Sequence, residues 1–91
     1  LNRSKALQTV QDIMTQRGSN YGDLRKNWCE GAKRMSRVFK KEVTPEQYGV
    51  AMIGVKMARL QSNDCRHLDS LLDIIGYAAL TIEILGENDE H

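Results

Sequence analysis

"TPEQYGVAMIGVKMARLQSNDCRHLDSLLDIIGYAAL", residues 44–80, decides how this 91-residue chain folds. It opens on a helix start. Thr44 stands as N-cap, Pro45 takes the first helical position, and Gln47 follows three residues after the cap. That is a capping box, with Val43 and Tyr48 placed for a hydrophobic staple. Apolar residues at helical spacing carry this helix to about Gln61. "SNDCR" (62–66) is a short connector. The next helix runs from about His67 to Leu85 and meets Gly86, a usual place for a C-cap glycine. A connector this short makes the two helices antiparallel neighbours, so they form a core hairpin.

Working outward, the same period continues toward the N-terminus. Leu7, Val10, Ile13 and Met14 make one face of a first helix, roughly Arg3 to Arg17, with Asn2 as N-cap. "RGSNYGD" (17–23) then breaks the chain, since Gly18 and Gly22 can take positive φ. A second helix starts after Asp23, whose carboxylate can cap free amides. Its apolar stripe is Leu24, Trp28, Ala32, Met35 and Phe39. Arg25, Lys26, Lys33, Arg34 and Arg37 form the opposite, solvated face. No stretch alternates apolar and polar residues as a strand does. The expected fold is all-α, a four-helix bundle-like single domain over 1–91 with an ordered core of about 3–86. "ENDEH" is an acidic tail.

The fourth helix is apolar on more than one face, through Leu71, Leu72, Ile74, Ile75, Tyr77, Leu80, Ile82, Ile84 and Leu85. Such a helix is buried on most sides. Three neighbours in so short a chain cannot cover it, so a homo-oligomer is expected.

Composition excludes several classes. With 41% apolar and 27% charged residues the chain is neither disordered nor membrane-spanning. A net charge of +1 gives no support for bulk DNA binding, although a local basic patch is compatible with it. Two cysteines without C-x-x-C spacing argue against a disulfide framework or zinc site and fit a reducing cytoplasm. No signal-peptide pattern opens the chain. It begins with Leu1, so the native start is expected upstream.

The polar residues within the apolar hairpin need a reason. Folding the sequence about Asp64 brings Arg59 near Asp69 and Lys56 near Asp73. Asp69, Asp73 and Tyr77 are successive turns of one face, with His67 and Ser70 close by. Three readings are open. The cluster can be ion pairs that fix hairpin register. It can be a Mg²⁺ site on Asp69 and Asp73, a thin ligand set for a hard cation. Or it can be a pocket for an anionic ligand, in which Lys56, Arg59 and His67 meet phosphate while the aspartates orient the cations or accept from sugar or base. In "RGSNYGD" the structural reading is a turn capped by Asp23. The functional one puts Arg17 on phosphate and Tyr21 on a base. Trp28 and the methionines read as core. No serine or cysteine has an evident partner for nucleophilic catalysis, so no catalytic residue is assigned.

"RGSNYGD", "VKMAR" and "HLDSLLDIIGYAA" resemble a family of small phage and prophage proteins of unknown function, over about Gln16 to Leu85. The resemblance places Arg17, Tyr21, Gly22, Lys56, Arg59, His67, Asp69, Ser70, Asp73, Gly76 and Tyr77 on the family's motif positions. More distantly the chain is similar to the all-α nucleoside triphosphate pyrophosphohydrolases of the MazG type, which hold Mg²⁺ with E-x-x-E and E-x-x-D motifs. This chain has no E-x-x-E, and offers Lys56 and Arg59 where acids would stand. The expectation is a phage-type cytoplasmic protein that sequesters a nucleotide or cyclic oligonucleotide without turnover and without a cofactor. A sponge for an immune signal, an anti-defence role, would fit by analogy. The alternatives are a Mg²⁺-dependent pyrophosphohydrolase, and an interaction protein whose polar cluster is structural. The ligand sites on the first expectation are Arg17, Tyr21, Lys56, Arg59, His67, Asp69, Ser70, Asp73 and Tyr77.

Overall fold

A computed structural model of the chain describes residues 1–21 and 23–88, the side-chain surroundings of 18–21 and 87–88 excepted. Four helices account for it: α1 (Arg3–Tyr21), α2 (Leu24–Phe39), α3 (Pro45–Ser62) and α4 (Leu68–Asn88). No strand occurs among the described residues.

The first three helices start on their expected caps. Asn2 Oδ1 accepts from the Lys5 N–H at 2.9 Å. Asp23 caps α2 through the N–H groups of Arg25 and Lys26. At α3 the capping box is complete: the Gln47 N–H donates to Thr44 Oγ1 at 3.2 Å, and the Thr44 N–H donates to Gln47 Oε1 at 3.0 Å. Two ends differ from expectation. α1 runs past Arg17 and Gly18 to Tyr21, and α4 runs past Gly86 to Asn88. Glycine permits a helix to end but does not compel it. Within a helix it costs only about 1 kcal/mol relative to alanine.

The connectors are tied down by backbone and hydroxyl bonds. Lys40 ends α2 in the left-handed region at φ 55°. Ser36 Oγ accepts from the Val43 N–H at 2.8 Å and donates to the Ala32 carbonyl at 2.8 Å, which fastens the α2–α3 loop to α2. Between α3 and α4, Asp64 and Cys65 both have positive φ (53° and 61°), and the Cys65 N–H returns to the Leu60 carbonyl at 2.8 Å. This tight reversal makes α3 and α4 an antiparallel hairpin, the most extensive helix pairing in the molecule.

The hairpin is held close by one small residue. Gly49 is buried against Thr81, and a Cβ at position 49 would collide with the Thr81 hydroxyl. That hydroxyl donates to the Tyr77 carbonyl at 2.7 Å and so needs nothing from α3. α2 lies on α3, where Gly31 admits the Tyr48 ring. α1 packs along α4 and touches α2 little, so the bundle is open between α1 and α2. Val10, Ala32, Leu72, Leu80 and Ile84 form the buried core. Phe39, expected on the buried stripe of α2, is exposed at the end of that helix, where no neighbouring helix covers it. α4 is buried on its inner face only. Leu68, Leu71, Ile82 and Leu85 face outward in the single chain.

Two substitutions test this account by chemical denaturation. Thr44→Ala should lower stability by about 1 kcal/mol. Gly49→Ala should lower it by about 1–3 kcal/mol through overpacking. The double change Gly49→Ala/Thr81→Ala should recover most of that loss, which an effect confined to the backbone of α3 would not.

Candidate functional site

The expected polar cluster divides in two. The register set by Gly49 and Thr81 brings Lys56 to Asp73. Their charged ends are 2.9 Å apart, with side chains 18% and 21% exposed. The same register carries on to Leu60 and the buried Ser70, which are both turned inward. Arg59 and Asp69 each precede one of these residues and so point about 100° away from the contact line. Both are exposed, and no ion pair joins them among the described residues. Folding a sequence about its turn gives the register of a hairpin but not its helical phase. That is why one expected ion pair is present and the other is not.

His67, Asp69 and Ser70 belong to the start of α4. The Ser70 N–H donates to His67 Nδ1 at 3.3 Å, and the Ser70 hydroxyl lies 2.7 Å from the same nitrogen. In this geometry Nδ1 serves as the acceptor for the first turn of α4. His67 is thus the N-cap of α4, and its own carbonyl accepts from the Leu71 N–H. A serine beside a histidine has the outline of an activated nucleophile. Ser70, however, is 1% exposed, so no substrate reaches it.

Asp73 and Tyr77 lead elsewhere, into a cleft of about 200 Å³ at the opening between α1 and α2. α1 contributes Val10, Ile13, Met14 and, at its exposed rim, Arg17. α2 contributes Leu24, Asn27 and Trp28. Tyr48 of α3 closes one side, and Leu72, Asp73, Gly76, Tyr77 and Leu80 of α4 form the back. Three of the chain's five aromatic residues meet here. Trp28 stands edge-on to Tyr48 (ring centroids 4.9 Å apart) and tilted against Tyr77 (5.3 Å).

Trp28 Nε1 is buried and finds no hydrogen-bond partner among the described residues. A buried donor without a partner costs about 1–3 kcal/mol, and buried tryptophan N–H groups usually find an acceptor. In the sequence Trp28 reads as core and Tyr48 as a staple residue, while Asn27 carries no signal of its own. The available signal was that the chain's one tryptophan brings a polar N–H into an apolar stripe.

The turn before α2 is capped from within. The Arg25 N–H donates to Asp23 Oδ1 at 2.9 Å and the Lys26 N–H at 3.4 Å, and these bonds, the first above all, hold the Asp23 carboxyl below its usual pKa. The cap therefore stabilises the fold above the ordinary aspartate value of 3.8 and is lost as the pH falls through the lowered one. Asp23 occupies the amides that a phosphate would need there. Gly22 and the Tyr21 side chain, singled out in the sequence, lie outside the described residues.

Among the described residues no three His, Cys, Asp or Glu side chains converge as metal donors. Asp73 is engaged by Lys56, and Asp69 is exposed one turn away. No helix among the described residues is long and apolar enough to cross a membrane.

The chain belongs to the family described as "Domain of unknown function (DUF6378)", whose model matches residues 5–85. It is 36% identical over 87 residues to the "Gene 55 protein" of Mycobacterium phage L5, a match covering 92% of this chain. The chain spans about half of that relative, 54% of its length. The phage relationship expected from the motifs is therefore shown, whereas likeness to MazG-type enzymes is not. No solved structure matches the chain.

The division of the cluster can be tested at His67. His67→Ala should cost about 1 kcal/mol in urea denaturation, as N-cap losses do. His67→Asn keeps an acceptor and should recover most of it. Neither change should alter ligand affinity in the cleft, and a large loss of binding would place His67 back in the site.

Proposed function

We propose that this phage-family protein binds a nucleotide, or one nucleotide unit of a cyclic oligonucleotide, in the cleft between α1, α2 and α4. It holds the ligand without turning it over and acts in the cytoplasm of an infected bacterium as a sponge for a signalling nucleotide. Self-association into a homo-oligomer is part of the same proposal.

One observation carries the reading: an aromatic-walled cleft lined by Trp28, whose buried N–H has no acceptor among the described residues. A nucleobase supplies what is missing. Its flat face packs on Tyr77, and a ring nitrogen or carbonyl accepts in the ring plane from the Trp28 indole once the indole edge turns into the cleft. Asp73, steadied by Lys56, is placed to accept from a base amine or a sugar hydroxyl. Arg17 at the rim can grip phosphate bidentately. The cleft is smaller than the roughly 300–1,000 Å³ of drug-sized ligand pockets. It suits a base, with sugar and phosphates toward the rim. Of the residues first assigned to the ligand, this reading keeps Arg17, Asp73 and Tyr77, with Lys56 as a positioning partner. It leaves Arg59, His67, Asp69 and Ser70 outside, and the Tyr21 side chain lies outside the described residues.

The Mg²⁺-dependent alternative on Asp69 and Asp73 has less support. Two metal carboxylates must converge, and here one is paired with a lysine while the other faces solvent.

The test is a thermal-shift screen of nucleoside phosphates and cyclic dinucleotides with and without Mg²⁺. A ligand at a hundred times its Kd should raise Tm by about 10 °C or more, since linkage then gives about 2.7 kcal/mol. The shift should not depend on Mg²⁺. Trp28→Phe keeps the aromatic wall and removes the unmatched donor. It should leave apo stability unchanged or slightly higher, yet weaken binding about 3–10-fold. Arg17→Met should weaken it further, and Arg17→Lys should not restore it. Mg²⁺-dependent release of pyrophosphate would instead establish the enzyme, and silence from every compound would remove the nucleotide.

A further inference from the structure

The outer side of α4 carries a second apolar line. Leu68, Leu71, Ile75, Ala78, Ile82 and Leu85 follow at spacings of three, four, three, four and three, the a/d repeat of a coiled-coil seam. The cleft-lining residues of the same helix, Asp73, Tyr77 and Leu80, lie about half a turn round from it. In the single chain the seam is open toward its ends, where Leu68 is 51% exposed, Leu71 41%, Ile82 68% and Leu85 36%, while Ile75 and Ala78 at its middle are half-buried.

α3 widens this face. Val50 and Met57 are seven residues apart, hence on one side of the helix, and are 64% and 59% exposed. Tyr48 and Ala51, on the other flank of α3, line the depression against Met35 and Phe39 of α2. The Val50–Met57 flank is therefore turned away from α2 and adjoins the α4 seam. These six side chains together leave on the order of 500 Å² of apolar surface on this side of the hairpin, at the upper end of what a monomer exposes. A standard interface buries about 800 Å² per partner, its core about 65% apolar, which this face nearly supplies by itself.

We infer that a second copy of this chain covers the face, with the two α4 helices antiparallel about a two-fold axis between Ile75 and Ala78. The occupant is argued from the sequence of the seam. It contains no charge, and it matches its own reverse. Antiparallel pairing sets Leu68 against Leu85, Leu71 against Ile82, and Ile75 against Ala78 of the second copy. Large meets large at the ends, and large meets small at the axis, where two helices come closest. A two-fold interface demands this self-complementarity, and antiparallel helices also oppose their macrodipoles favourably. The inference rests on the self-association proposed above and goes beyond it by naming face and orientation. The cleft lies on the other side of α4, so both copies keep it open.

Sedimentation of the parent and of Ile82→Glu at micromolar concentration tests the face, with far-UV circular dichroism as the check on folding. The parent should be a dimer and Ile82→Glu a folded monomer. Val38→Glu, an exposed apolar site on α2 away from the seam, should remain a dimer. If Ile82→Glu does not fold, Leu71→Lys serves in its place. Orientation is read by oxidation of cysteine variants in a chain with Cys29 and Cys65 changed to Ser. Antiparallel pairing leaves two Ile82 positions about 16 Å apart along the axis, beyond disulfide reach. Ile82→Cys alone should then stay uncross-linked, while Leu71→Cys/Ile82→Cys should cross-link. A dimer that survives both Ile82→Glu and Leu71→Lys would overturn the face and leave self-association standing. An Ile82→Cys cross-link would overturn the orientation. A monomeric parent would overturn both this inference and self-association, and would assign the face to a different partner.

Discussion

The close approach of α3 to α4 at Gly49 and Thr81 is the constraint on which the rest depends. A glycine on one helix and a self-satisfied hydroxyl on the other let the backbones come together without leaving a polar group unpaired. That contact fixes register. Register then brings Lys56 to Asp73, turns Ser70 inward against its histidine cap, and points Arg59 and Asp69 to solvent. It also aims Tyr77 at Trp28, so the hairpin that closes the core is the one that shapes the back of the cleft.

The cleft exists because α1 follows α4 and not α2. Two helix pairs share α4 and diverge on its inner side, and the gap is lined by aromatic and aliphatic side chains with few polar groups. Among the described residues the buried side-chain polar atoms other than Trp28 Nε1 have hydrogen-bond partners. The Trp28 N–H is different. Trp28 lines the gap, and its N–H is buried with its desolvation cost unrelieved among the described residues.

The fold was legible where local chemistry sets it. The capping box at Thr44, the Asp23 cap and the short 62–66 connector each depend on a few neighbouring residues, and each places its helix correctly. Gly18 and Gly86 misled because glycine allows a helix to stop without requiring it. The site was half legible. Lys56 and Asp73 could be paired by folding the sequence on its turn, whereas Arg59 and Asp69 required the helical phase that only packing determines. The aromatic wall was hidden for the same reason. Trp28, Tyr48 and Tyr77 lie on three helices, and no spacing within one helix says that they meet. The apolar character of α4 was visible throughout, but its division into an inner core face and an outer seam becomes visible once the neighbours of α4 are in place.

The central claim is that the Trp28 indole N–H donates to a bound nucleobase. Because Trp28 is the chain's one tryptophan, its indole gives a single cross-peak in a proton–nitrogen correlation spectrum. Nucleotides should be titrated in while that peak is followed. The account predicts that a binding nucleotide moves the indole proton downfield and slows its exchange with water, with saturation matching the affinity measured by thermal shift. An indole peak that stays in place while a nucleotide binds would contradict it.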